Sequence, residues 1–103
     1  MTLLSGDHIR HCVAFTLAHE TGSAEEAGFL AALAALADIA GVERFEILSE
    51  VSPKNAYTWA VSMEFASSAA YDAYDAHPDH RAFVQGRWVP EVTDFVEIDL
   101  VGR

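Results

Sequence analysis

Between Ile9 and Leu17 large and small side chains alternate, with Ile9, His11, Val13, Phe15 and Leu17 on one side and Arg10, Cys12, Ala14 and Thr16 on the other. A period of two predicts a β-strand whose core face carries one histidine among large apolar groups. From Ser23 the period changes. Glu26 stands at capping-box distance from Ser23, and Phe29, Leu30, Leu33 and Leu36 recur at helical spacing through about Asp38, until Gly41 stops the helix. Alternation returns over residues 42–51, where Phe45, Ile47 and Val51 oppose Arg44, Glu46 and Glu50. It continues over residues 57–65, where Tyr57, Trp59, Val61, Met63 and Phe65 share a side. The turn residues Ser52, Pro53, Lys54 and Asn55 between these two strands make them a hairpin.

Ser67 or Ser68 caps a second helix that carries Tyr71 and Tyr74. Pro78 keeps the residue before it out of the right-handed helical region, so this helix ends near His77. The same proline suits the first position of a new, short helix running to about Gly86, with His77 as its N-cap, His80 as its third residue, and Phe83 and Val84 turned inward. Trp88 and Pro90 then lead into a last strand over residues 92–101, where Val92, Val96, Ile98 and Leu100 are interrupted by Asp94, Glu97 and Asp99. The order strand, helix, strand, strand, helix, strand is the ferredoxin-like α+β pattern, a four-stranded antiparallel sheet with both helices on one face. Cys12, Ala14, Ala60, Ser62 and Phe95 make the other face small and only moderately polar. Such a face predicts a symmetric homodimer packed sheet against sheet.

Composition narrows the functional classes. With 103 residues and 51% apolar content the chain fits one domain, expected over residues 8–101 after a lead-in at 1–7. Sixteen acids against six scattered bases give a net charge of −10, which argues against nucleic-acid partners and anionic membrane surfaces. Cys12 is the single cysteine, so no internal disulfide and no cysteine-rich metal site can form, and a cytoplasmic setting is expected. The opening residues lack the basic start of a secretory signal, and the apolar tract at 27–37 is too short to span a bilayer.

Candidate chemistry concentrates in residues 71–83, YDAYDAHPDHRAF, which hold two tyrosines, a proline and two of the five histidines. Two readings of this stretch compete. In one, His77 caps a helix, His80 lies at the surface and the tyrosines are core. In the other, Tyr74 and His80 line a pocket and exchange protons with a ligand. A histidine titrates near neutral pH and can act as a general base, and a tyrosine hydroxyl can donate to a developing oxyanion. Phe29, Leu33, Trp59, Met63 and Phe83 would supply an apolar wall suited to an aromatic or otherwise hydrophobic small molecule. No cofactor is expected. A metal site from His11, His77 and His80 is not expected either, because no carboxylate is evidently placed to help and His8 lies on the opposite strand face from His11.

The segments IRHCVAF, VSMEFAS, AYDAHPDHRAF and FVEIDL together resemble the stress-responsive A/B barrel (Dabb) family, from about His8 to Val101. The resemblance implies a dimeric α+β barrel. A plant enzyme of that family cyclises a linear polyketide by aldol condensation. By resemblance, His80 would be a general base, Tyr74 its partner, and His11 the orienting histidine on the first strand. His77 would be the largely structural first histidine of HPxH, counted with the ligand-contacting residues. Leu33 falls where the cyclase has a pocket tyrosine. The implied activity is cofactor-independent cyclase or proton-transfer chemistry. A non-catalytic stress-linked barrel or ligand binder is the second reading, and monooxygenase or isomerase chemistry of the same superfamily a third.

Overall fold

The computed structural model describes Leu4 and residues 6–103. The lead-in expected over residues 1–7 therefore falls partly outside the described residues. Strands β1 (Ile9–Leu17), β2 (Glu43–Ser49), β3 (Trp59–Phe65) and β4 (Val92–Val101) form one antiparallel sheet in the order β2-β3-β1-β4. Helices α1 (Ala24–Ala34), α2 (Ser68–Ala76) and α3 (Pro78–Phe83) lie on one face, and α1 tightens into a 3-10 turn over Ala35–Asp38. This is the ferredoxin-like arrangement.

The helix ends follow from local hydrogen bonding. Ser23 accepts from the Glu26 N–H at 3.1 Å, but the Glu26 carboxylate reaches one residue further back than a capping box requires, to the Gly22 N–H at 2.9 Å. Its other oxygen accepts from the Trp59 indole N–H at 3.2 Å, tying the start of α1 to β3. Ser67 rather than Ser68 caps α2, accepting from the Ala70 N–H at 3.1 Å. His77 takes an extended conformation before Pro78, and its Nδ1 accepts from the Asp79 N–H at 3.0 Å, so it is the N-cap of α3. In the hairpin, the Glu50 carboxylate gathers the Ser52 N–H and the Asn55 amide. Those bonds hold its carboxyl below the ordinary range and close the turn, and both hairpin strands are shorter than alternation alone predicts, although the Glu50 N–H still donates to the Thr58 carbonyl across the hairpin at 3.0 Å.

Two expectations need correction. The helical run does not stop near Gly86: it widens to π geometry over Val84–Trp88 and continues through Val89–Glu91. The Val89 N–H bonds to the Val84 carbonyl five residues back. One extra residue in the turn lets the helix pass Pro90, which has no N–H and whose ring would crowd the carbonyl four residues earlier in a regular α-turn. The second correction concerns Phe95, expected on the open face. Phe95 pairs directly with Phe15, and both lie beneath the helices, because residues opposite one another in an antiparallel ladder share a face. The alternation of β4 thus puts Phe95, Glu97 and Asp99 under the helices. Val96, Ile98 and Leu100, opposite Ala14, Cys12 and Arg10, lie on the open face.

The core sits between the sheet and the helices and is built on aromatic rings. Phe15, Phe29 and Phe65 are fully buried, and Phe29 packs on Phe15, Phe83 and Trp88 with ring centroids 5.8, 5.5 and 6.1 Å away. On the open face the buried Glu64 carboxylate is neutralised by Arg10 at 2.6 Å and Arg44 at 3.4 Å. Arg44 has a positive φ of 50° at the point where the β2–β3 register shifts, a bulge geometry that swings its side chain toward Glu64.

Candidate active site

A cavity of about 500 Å³ opens between the helices and the β1–β3–β4 part of the sheet. His11, Tyr74, Asp75, His80 and Glu97 are its polar lining, set among apolar side chains that include Leu33, Val61, Met63, Phe83, Trp88 and Phe95. The three residues singled out for catalysis, His11, Tyr74 and His80, therefore border one space, brought there from β1, α2 and α3.

The hydrogen-bond partners fix the imidazole tautomers. His80 Nδ1 lies 3.1 Å from the Asp75 carbonyl, which can only accept, so Nδ1 carries the proton and neutral His80 has its lone pair on Nε2. His11 Nδ1 donates to the Asp99 carboxylate at 2.6 Å, which likewise leaves Nε2 as the basic nitrogen, 3.9 Å from a Glu97 oxygen. The Tyr71 hydroxyl donates to the same carboxylate at 3.0 and 3.1 Å and touches His11 Nδ1 at 2.9 Å. Buried His11 is thus clamped between a carboxylate and a phenol. Hydrogen bonding of this kind sets both the tautomer and the ring plane.

Tyr74 packs its ring against His80 with centroids 4.4 Å apart and is 2% exposed. Burial, and secondarily the charges of Asp75 and Glu97, raises the Tyr74 phenol well above its ordinary value. Burial also raises Tyr71, reinforced by Asp99. Both phenols therefore remain O–H donors throughout the physiological range, so Tyr74 is equipped to donate to an oxygen rather than to act as a phenolate.

The proposed apolar wall divides. Leu33, Met63 and Phe83 border the cavity; Phe29, Trp59 and His77 do not. Phe29 lies one layer deeper in the aromatic core, Trp59 is committed to Glu26, and His77 spends its ring nitrogen capping α3. Sequence reading missed Tyr71, Glu97 and Asp99. The signal was the parity of β4: once β1 and β4 are paired, Asp99 falls directly opposite His11. Among the described residues no group of three His, Cys, Asp or Glu side chains is placed to hold a metal ion. No helix of the described residues is long and apolar enough to cross a membrane.

A helix-covered antiparallel sheet with a histidine- and tyrosine-lined hollow beneath the helices defines a ferredoxin-like α+β domain with a candidate acid–base site. The model of the stress responsive A/B barrel domain matches residues 9–101, and the chain belongs to that family. A Dabb-family protein of Mesorhizobium loti with a ferredoxin-like fold is 54% identical, with 93% of this chain and 97% of that one covered and a TM-score of 0.91. A dimeric ferredoxin-like protein of unknown function from Thermobifida fusca is 24% identical over 96% of this chain and 94% of its own, with a TM-score of 0.76. The hydroxynitrile lyase of Passiflora edulis is 16% identical over 94% of each chain, with a TM-score of 0.83. No curated protein matches the sequence.

Proposed function

We propose that the cavity binds a small apolar or aromatic molecule and that the protein is a cofactor-independent proton-transfer enzyme, of the cyclase or lyase kind, acting on it. The observation that carries this reading is the pairing of His80, whose Nε2 holds the free lone pair, with Tyr74, a phenol held protonated, on one largely apolar cavity that His11, Asp75 and Glu97 also border. His80 removes a proton from carbon or oxygen, Tyr74 donates to the oxygen on which charge develops, and His11, fixed by Asp99 and Tyr71, orients the ligand. A protein of similar fold is a hydroxynitrile lyase, so this scaffold is compatible with a lyase.

The test is a turnover screen of polyketide-like and aromatic carbonyl compounds with the wild type and with Val84→Trp. Val84 is half-buried and borders the cavity, so an indole there fills the space from the helical side. Any genuine turnover is expected to fall at least tenfold in that variant. Turnover unaffected by the added indole would place the chemistry elsewhere.

The working form is proposed to be a homodimer joined through the open sheet faces. Similar ferredoxin-like proteins are dimeric, and Leu48, Val96, Ile98 and Leu100 on this face are 39–48% exposed in the single chain. Leaving that many large apolar groups together in water is unfavourable. Ile98→Asp, at the centre of β4 opposite Cys12, is expected to give a monomer in sedimentation or light scattering. A dimer of unchanged strength would rule this face out as the interface.

A further inference from the structure

The charges around the cavity are one-sided. Its lining includes Asp75 and Glu97, Asp99 stands behind His11, and no lysine or arginine is among the lining residues. The arginines near the sheet are already engaged: Arg10 and Arg44 hold Glu64 on the opposite face, and Arg87 is paired with Glu91 at 2.6 Å. Three carboxylates outnumber two imidazoles whatever the protonation state of the rings. A net charge of −10 adds a background of the same sign. A ligand carboxylate entering this space would lose water and meet no bidentate partner of the kind that ordinarily recognises it.

We infer that the site selects uncharged carbonyl or hydroxyl compounds and rejects carboxylates, with Glu97 as the residue that sets this specificity. Glu97 is placed for the role because its side chain borders the cavity and approaches the basic nitrogen of His11 to 3.9 Å. An anion seeking the basic nitrogen of His11 would come within a few ångströms of that carboxylate, and like charges repel at that distance even where one of them is half exposed. The neutral oxygen of a ketone, aldehyde or alcohol meets no such penalty, and Tyr74 can donate to it.

The inference rests on reading the cavity as the ligand site, and the experiment separates the two. The probes are 2-acetylnaphthalene and 2-naphthoate, nearly equal in shape and differing in charge, titrated at pH 8 into the wild type, Glu97→Gln and Val84→Trp and followed by ligand-observed NMR. The wild type is expected to hold the ketone at least tenfold more tightly than the carboxylate. Glu97→Gln should narrow that ratio about fivefold by strengthening naphthoate binding. If naphthoate binds the wild type as well as the ketone does, or the ratio ignores Glu97→Gln, charge selection is wrong. In that case loss of both probes in Val84→Trp still upholds the cavity as the ligand site. If neither probe binds, or both bind unchanged in Val84→Trp, the cavity reading falls and the inference with it.

Discussion

Replacing Phe29 by alanine is expected to cost about 3–5 kcal/mol of folding free energy, the upper end of the range for single core truncations. The ring has no solvent exposure and sits at the junction of Phe15, Phe83 and Trp88, contributed by β1, α3 and the widened helical turn after it. Removing it leaves a void that the sheet, α3 and the turn after it would have to close together, and packed interiors relax only partly. Domains of this size are stable by about 5–15 kcal/mol, so the variant should unfold at a much lower denaturant concentration with an unchanged slope. A loss below about 1 kcal/mol would show that the aromatic cluster is not the keystone of the fold. Phe83 links this layer to the site, since it touches Phe29 on one side and borders the cavity on the other.

His80→Ala should lower kcat by about 10²–10⁴-fold on any compound the cavity turns over, the range attributed to a positioned general base or acid. The imidazole makes one hydrogen bond, to the Asp75 carbonyl, and one ring contact, to Tyr74, so the stability cost should be only about 1 kcal/mol. Melting curves that nearly coincide with the wild type, together with a collapsed kcat and a modest change in KM, are the expected outcome. Unaltered kcat would remove His80 from the mechanism. Tyr74→Phe offers a graded comparison: it keeps the ring packed on His80 and deletes only the donor, so it should reduce kcat less than the loss of the imidazole does.

Most of the architecture could be read along the chain because its signals are local. The alternation of β1 and β3, the serine caps and the proline after His77 each depend on near neighbours, and all are realised. The family resemblance, too, rested on short segments spread over nearly the whole domain. What escaped depended on partners far away in sequence. The acids of β4 read as breaks in an apolar strand, yet pairing with β1 turns Glu97 and Asp99 toward the helices and sends Val96, Ile98 and Leu100 to the other side. Tyr71 looked like ordinary core, but its hydroxyl meets a carboxylate 28 residues downstream. Trp59 and Phe29 have the right chemistry for a ligand wall. Their positions are decided by Glu26 and by the aromatic cluster, neither of which periodicity reveals. The spacing ends the short helix near Gly86, and the π-widened turn before Pro90 is the device that allows helical geometry to continue.

That widened turn separates two properties that a single uninterrupted helix would couple. Its residues Val84 and Trp88, with Val89 just after it, form one wall of the hollow, while His80 is anchored earlier by the HPxH corner. Deleting the surplus residue would rotate everything downstream by roughly 100° about the axis, carrying the indole of Trp88 away while His80 and Tyr74 stayed put. A one-residue change in length there would thus reshape the cavity volume and leave the side chains of the HPxH corner where they are.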